Sequence, residues 1–156
     1  MNLRSSTEKF SIFLAEDDHD DVYLFHNALG RMEVNHQLKV FGNGLELMQA
    51  LEDMTAALPD LIFIDINMPV KNGLDALREI RQQHSAKLPV FLFSTTEDRV
   101  TVEQARKLGA TGYLSKPKSI RDLEDLLIKV LSVNWQSRSI HDFYVHLQAI
   151  DLAQKV

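Results

Sequence analysis

The chain of 156 residues contains no cysteine. That absence excludes disulfides, thiolate zinc sites and a cysteine nucleophile, and it leads us to expect a cytoplasmic protein. Long apolar runs are missing too: nothing approaches the roughly 20 consecutive apolar residues that a membrane-spanning helix needs. The longest amino-terminal run, Phe10 to Ala15, is too short for the core of a secretion signal and passes straight into acids. Basic charge is also in short supply. With 17 Lys and Arg against 22 Asp and Glu the formal charge is -5, which disfavours nonspecific binding to nucleic acid or to an anionic membrane. The six histidines show no metal-ligand spacing on one face, and His141 with His146 is not an i,i+4 pair.

What remains is an ordinary globular balance, 45% hydrophobic and 25% charged, in a length suited to one domain with a full core. Short apolar runs alternate with segments of helical period, and Gly, Pro or Asn usually marks the joints. The strand candidates are Ser11 to Ala15, Leu38 to Phe41, Leu61 to Ile64, Val90 to Phe93 and Gly112 to Leu114. The first, third and fourth carry too few polar residues to face water on either side, as parallel strands covered by helices on both faces do. Between and after them, apolar residues recur at helical intervals: Val22, Phe25, Leu29; Leu47, Met48, Leu51; Leu74, Leu77, Ile80; Val102, Ala105, Leu108; and Ile120, Leu123, Leu127, Val130, Leu131. Five βα units of this kind predict an α/β fold with a doubly wound parallel sheet.

Acids close two of the runs. Asp65 follows Leu61 to Ile64, and Glu16-Asp17-Asp18 follows Phe10 to Ala15. Carboxylates crowded at neighbouring strand ends repel one another, and a hard divalent cation keeps them ionised; Mg²⁺ prefers such an all-oxygen environment. Ligands of doubly wound sheets bind beyond the carboxyl ends of the strands. There the fourth strand delivers Ser94, and the fifth is followed by Lys116-Pro117. Metal ligands, a nucleophile candidate, a hydroxyl and an ammonium group at four strand ends describe a phosphoryl site.

The segments IFLAEDD at 12 to 18, PDLIFIDINMPVKNG at 59 to 73, LPVFLFSTTED at 88 to 98 and GATGYLSKP at 109 to 117 closely resemble the receiver domain of two-component response regulators. They resemble most the stand-alone kind without an attached output domain. The resemblance covers about 120 residues in order and spacing, which is far more specific than one motif. It implies a flavodoxin-like sheet of five strands in order 2-1-3-4-5 with helices on both faces. It implies that Asp65 is the nucleophile, attacking a phosphohistidine on a histidine kinase or phosphotransfer protein to give an aspartyl phosphate. Asp17 and Asp65 would hold Mg²⁺ directly, Glu16 would hold a metal-bound water, and Asn67 would offer its backbone carbonyl. Lys116 would pair with the phosphoryl group and Ser94 would donate a hydroxyl hydrogen bond to it. In the family an aromatic on the fifth strand turns inward when the hydroxyl moves; Tyr113 holds that position, although an aromatic there can simply pack. Pro69 and Gly73 would shape the loop after the nucleophile and start a helix near Leu74, and the Lys116-Pro117 peptide is a candidate cis bond.

Asp18, Asp20 and Asp21 read as helix-start residues. The expected output is a protein-binding face on the fourth helix, fifth strand and fifth helix, contacting a downstream protein and neither nucleic acid nor membrane, in a monomer or weak homodimer. Lys118 stands where the family usually has an apolar residue, which leaves the start of the fifth helix open. Residues 10 to 133 are assigned to the receiver domain. Residues 134 to 156 are assigned to a carboxy-terminal helical extension, because Ile140, Phe143, Tyr144, Leu147 and Ile150 fall at helical spacing. Two alternatives stay open: a Mg²⁺-dependent phosphohydrolase with an Asp nucleophile, and a receiver-like binding module that works without phosphorylation. The hydrolase motif needs a second Asp as general acid where this chain has Asn67.

Asn67 and Thr96 hold the two positions that tune loss of the phosphoryl group in the family, and neither is a carboxylate able to activate water. The isolated protein is therefore expected to lose a phosphoryl group slowly. A lifetime of only seconds, followed by intact mass after removal of the donor, contradicts this.

Overall fold

A computed structural model describes residues 8–139 and 142–148. Among the described residues six strands form one parallel sheet: β1 (Phe10–Ala15), β2 (His36–Phe41), β3 (Leu61–Ile64), β4 (Val90–Ser94), β5 (Gly112–Ser115) and β6 (Tyr144–His146). Their order is β2-β1-β3-β4-β5-β6, so the sequence-predicted order is present with one strand added beyond β5. The helices are α1 (His19–Arg31), α2 (Gly44–Glu52), α3 (Gly73–Gln83), α4 (Arg99–Lys107) and α5 (Ile120–Leu131).

The two faces of the sheet explain the apolar runs. On one face Ile12, Leu14, Phe63, Phe91 and Phe93 pack against Phe25 and Leu29 of α1 and Leu123, Leu127 and Val130 of α5. On the other Phe13, Ile62, Ile64 and Leu92 pack against Leu47 of α2, Leu77 and Ile80 of α3, and Ala105 of α4. Successive residues of a strand point to opposite faces, and both faces are covered, so neither phase of the alternation can be polar. Phe63 anchors the first layer, its ring 5.1 Å from Phe25 and 5.6 Å from Phe91.

Among the described residues every α-helix begins on a capping side chain. Asp18, Asn43, Asn72, Asp98 and Ser119 each accept a hydrogen bond from a backbone N–H in the first turn of their helix, which satisfies donors that the helix itself leaves unpaired. The cap at Ser119 settles where α5 starts and leaves Lys118 exposed in the loop before it.

Two expectations are corrected. Among the described residues no peptide bond is cis, so Lys116-Pro117 is trans. The expected carboxy-terminal helix is replaced, where described, by a short 3-10 turn at Trp135–Ser137 and the strand β6; Ile140 and Ile150 lie outside the described residues. Trp135 redirects the chain. Its indole N–H donates to Val130 O at 2.8 Å, and its ring meets Phe91 at 4.9 Å and Tyr144 at 5.5 Å. Tyr144 is thereby laid along β5, with Gly112 opposite Tyr144 and Leu114 opposite His146. Phe143 and Leu147 face the second core layer while Tyr144 faces the first. A separation of four residues keeps side chains on one face of a strand as well as of a helix, so the spacing misled. No helix among the described residues is long and apolar enough to cross a membrane.

Replacing Trp135 by Ala removes a buried ring that joins the last helix to β6. A loss of about 3–5 kcal/mol is expected, checked by urea unfolding against the parent.

Candidate functional site

The parallel ladders continue one residue past the strand ends. Glu16 N–H donates to Phe41 O, Asp65 N–H to Ala15 O and Lys116 N–H to Ser94 O, each at 2.9 Å. Backbone pairing thus fixes where these three side chains leave the sheet, and all leave at its carboxyl end. Glu16 and Asp65 are buried, at 2% and 7% exposure, and Ser94 is fully enclosed. Asp17 is exposed. Glu16, Asp17 and Asp65 each present a carboxylate oxygen within 4.8 Å of the others.

The Lys116 ammonium stands among carboxylates. It lies 2.6 Å from Glu16 Oε2, 2.8 Å from Asp21 Oδ2 and 3.0 Å from Asp65 Oδ2, and 5.8 Å from the centroid of the Phe93 ring. Burial works to lower its pKa, but hydrogen bonds to Asp21 and Glu16 and the charge of Asp65 leave it raised. Burial pushes the Glu16 carboxyl up to about 7 against the opposing hydrogen bond from Lys116, with the neighbouring Asp65 charge adding to the rise. One ammonium therefore leaves this pocket short of positive charge. Three carboxylates, two of them buried, form an all-oxygen set that suits a hard dication.

The remaining contacts position these groups. Glu16 Oε1 accepts from Asp18 N–H at 3.1 Å, and Asp65 Oδ1 accepts from Asn67 N–H at 3.3 Å. The Asn67 residue itself is exposed. Ser94 Oγ accepts from Thr96 N–H at 3.2 Å. Tyr113, fully buried with its ring in the second core layer, donates its hydroxyl to Thr96 O at 2.5 Å, and burial raises its pKa. It packs inward, and β6 makes β5 an interior strand. Pro69 O accepts from Lys71 N–H at 2.7 Å across a tight turn in which Val70 takes φ +67°. Gly73 closes the loop for a different reason: its N–H donates to Ile66 O, and a Cβ there would stand 2.3 Å from Asp65 O. Pro117 follows the lysine in the loop that leads to Ser119.

The structure thus brings Glu16, Asp17, Asp65 and Lys116 together, with Ser94 at the end of the neighbouring strand. Asp21 was missed. It lies in the first turn of α1, as the sequence led us to expect, and from there its carboxylate also meets Lys116. Its place in the run of acids after β1 was the available signal. A hollow of about 420 Å³ lies elsewhere, at the opposite end of the sheet between Phe10, Asp60 and Trp135, and supplies no group to this cluster.

Fold and site define a doubly wound α/β protein with a phosphoryl-type acidic pocket. The chain belongs to the response regulator receiver domain family, whose model it matches over residues 12–128. It is 31% identical over 117 residues to response regulator Rcp1 of Synechocystis, an alignment covering 72% of this chain and 80% of that protein. It is 33% identical over 117 residues to the transcriptional regulatory protein PdtaR of Mycobacterium tuberculosis, of which it spans about half, 52%. Among solved structures it resembles the Mn²⁺-bound form of Rcp1, with a TM-score of 0.71 at 27% identity over 83% of this chain and 97% of that one. It also resembles the phosphorylated cyanobacterial phytochrome response regulator RcpA, with a TM-score of 0.74 at 28% identity over 85% and 97%. The chain is a receiver domain of two-component signalling, a family of signalling domains.

Proposed function

We propose that Asp65 is the phosphoacceptor of this receiver. The observation that carries this is the Lys116 ammonium 3.0 Å from Asp65 Oδ2, beside carboxylates of Glu16 and Asp17. In the proposed reaction an Asp65 carboxylate oxygen attacks the phosphorus of a phosphohistidine. The P–N bond breaks, the imidazole leaves, and an aspartyl phosphate forms. Glu16, Asp17 and Asp65, with the Asn67 carbonyl, would hold the dication. When bound, Mg²⁺ supplies charge neutralisation for the transferring oxygens. Lys116 trades a carboxylate partner for a phosphoryl oxygen, and Ser94 turns its hydroxyl to donate to another. Asn67 and Thr96 are the proposed positions that slow hydrolysis, and Tyr113 the reporter of the Ser94 movement.

The proposed donor is a histidine kinase or phosphotransfer protein in the cytoplasm, the compartment that suits a cysteine-free chain. The proposed output is a noncovalent one, through the surface of α4, β5 and α5. The hydrolase reading is not favoured, because Asn67 cannot protonate a leaving group.

Treatment with a small phosphodonor and Mg²⁺ is expected to add one acid-labile phosphoryl group to the parent and none to Asp65→Asn, read by intact mass. Continuous turnover of donor in place of a stable adduct supports a hydrolase, and no adduct supports a phosphorylation-independent module.

The Glu16 shift predicts a pH dependence. A carboxyl raised from 4.5 to about 7 on folding contributes stability that is present below the lower value and lost as pH rises through the upper one. A dication favours the ionised form and offsets that loss. Mg²⁺ is therefore expected to raise the melting temperature more at about pH 8 than at about pH 5.5; equal shifts at both would count against it.

A further inference from the structure

β6 lies where the proposed output surface was expected, on the outer edge of β5. Its attachment is uneven. Tyr144 N–H donates to Thr111 O at 3.1 Å, and the strand spans only three residues, with Val145 exposed. Gly112 is shaped to receive it, since a Cβ at that position would stand 2.5 Å from Tyr144 O. At its far end the segment is tied by a side chain from another part of the fold. Glu97 Oε1 accepts from the Gln148 backbone N–H at 2.6 Å and from the Ser115 hydroxyl at 2.6 Å.

Glu97 belongs to the loop between β4 and α4, three residues after Ser94. That loop is clamped at Thr96 from both sides. Thr96 N–H donates to Ser94 Oγ, and Thr96 O accepts from the Tyr113 hydroxyl. An aspartyl phosphate adds about -1.5 to -2 charges and new acceptors at the site. Turning Ser94 Oγ toward them takes the acceptor away from Thr96 N–H, and the loop follows or loses that bond. The displacement reaches Glu97 one residue later. Its bond to Gln148 is charge-assisted and therefore among the stronger single ties in the segment, and a shift of about an ångström breaks it.

We propose that Glu97 is a latch that couples the Asp65 site to β6: in the unphosphorylated protein it pins residues 144–148 over the β5 edge, and phosphorylation releases them. Release exposes backbone groups of β5 and the apolar side chains of Phe143 and Leu147, which pack on the second core layer. An unpaired strand edge with flanking apolar surface is a form that accepts an extended segment of another protein. The proposal rests on Asp65 as phosphoacceptor, and it assigns Glu97 a positioning role rather than a chemical one.

Amide hydrogen exchange of Tyr144 to Gln148, measured on the full chain with and without acetyl phosphate and Mg²⁺, tests this. Exchange in the parent is expected to speed up by about tenfold on phosphorylation. Glu97→Ala is expected to show that faster exchange without donor, and Glu97→Gln, which keeps an acceptor oxygen, to fall between. Unchanged protection in Glu97→Ala overturns the latch. Intact mass on the same samples separates the two claims: an adduct with unaltered exchange overturns the latch alone, while no adduct overturns the phosphoacceptor reading and the phosphorylation-driven half with it.

Discussion

The crowding of buried carboxylates around one ammonium is the constraint on which the molecule turns. Oxygens of Glu16 and Asp65 lie within 4.8 Å of each other, a repulsion of about 3–4 kcal/mol between full charges at an effective dielectric near 20. Lys116 relieves part of it, touching both and Asp21 as well. The Glu16 carboxyl nevertheless stays raised to about 7. Such a pocket favours any added positive charge, and it resists added negative charge unless its ammonium and hydroxyl groups turn to meet it. That asymmetry is what a metal-assisted phosphoryl switch requires.

The fold maintains this tension at little expense of its own. Ladder hydrogen bonds carry Glu16, Asp65 and Lys116 one step beyond the paired strands, and apolar layers on both faces hold the strands in place. Each α-helix among the described residues starts on a side-chain cap, which defines where the loop after each strand end stops. Where a loop comes closest to Asp65, Gly73 removes the side chain that would collide with Asp65 O. The site is therefore preorganised by the scaffold, with the β4 to α4 loop as the part held by a few exchangeable hydrogen bonds.

That loop also joins the site to the added strand. The carboxy-terminal segment is held at Trp135 by aromatic contacts to Phe91 and Tyr144 and at Gln148 by Glu97. The first contact belongs to the core and the second to a surface loop. A core contact and a loop contact thus meet on one short strand, which covers the outer edge of β5.

Much of this was legible in the sequence. Leu61 to Ile64 matches β3 at both ends, and β1, β4 and β5 each differ by one residue, because a run buried on both faces has no polar residue to imitate anything else; the half-exposed β2 begins two residues before the expected strand. Asp65, Glu16, Asp17 and Lys116 were readable because strand ends of a doubly wound sheet converge by topology. Three features needed the folded chain. Asp21 reaches Lys116 only once α1 is packed on the face of the sheet, with its first turn beside the strand ends. The Lys116-Pro117 bond is trans, the intrinsically favoured isomer, where the family resemblance points to cis. The segment around Tyr144 became a strand because an open β5 edge and the Trp135 ring stood ready for it. Local pattern specifies which residues are apolar and which strand ends are charged; contacts between residues distant in sequence decide which edge is filled and which acids share a cation.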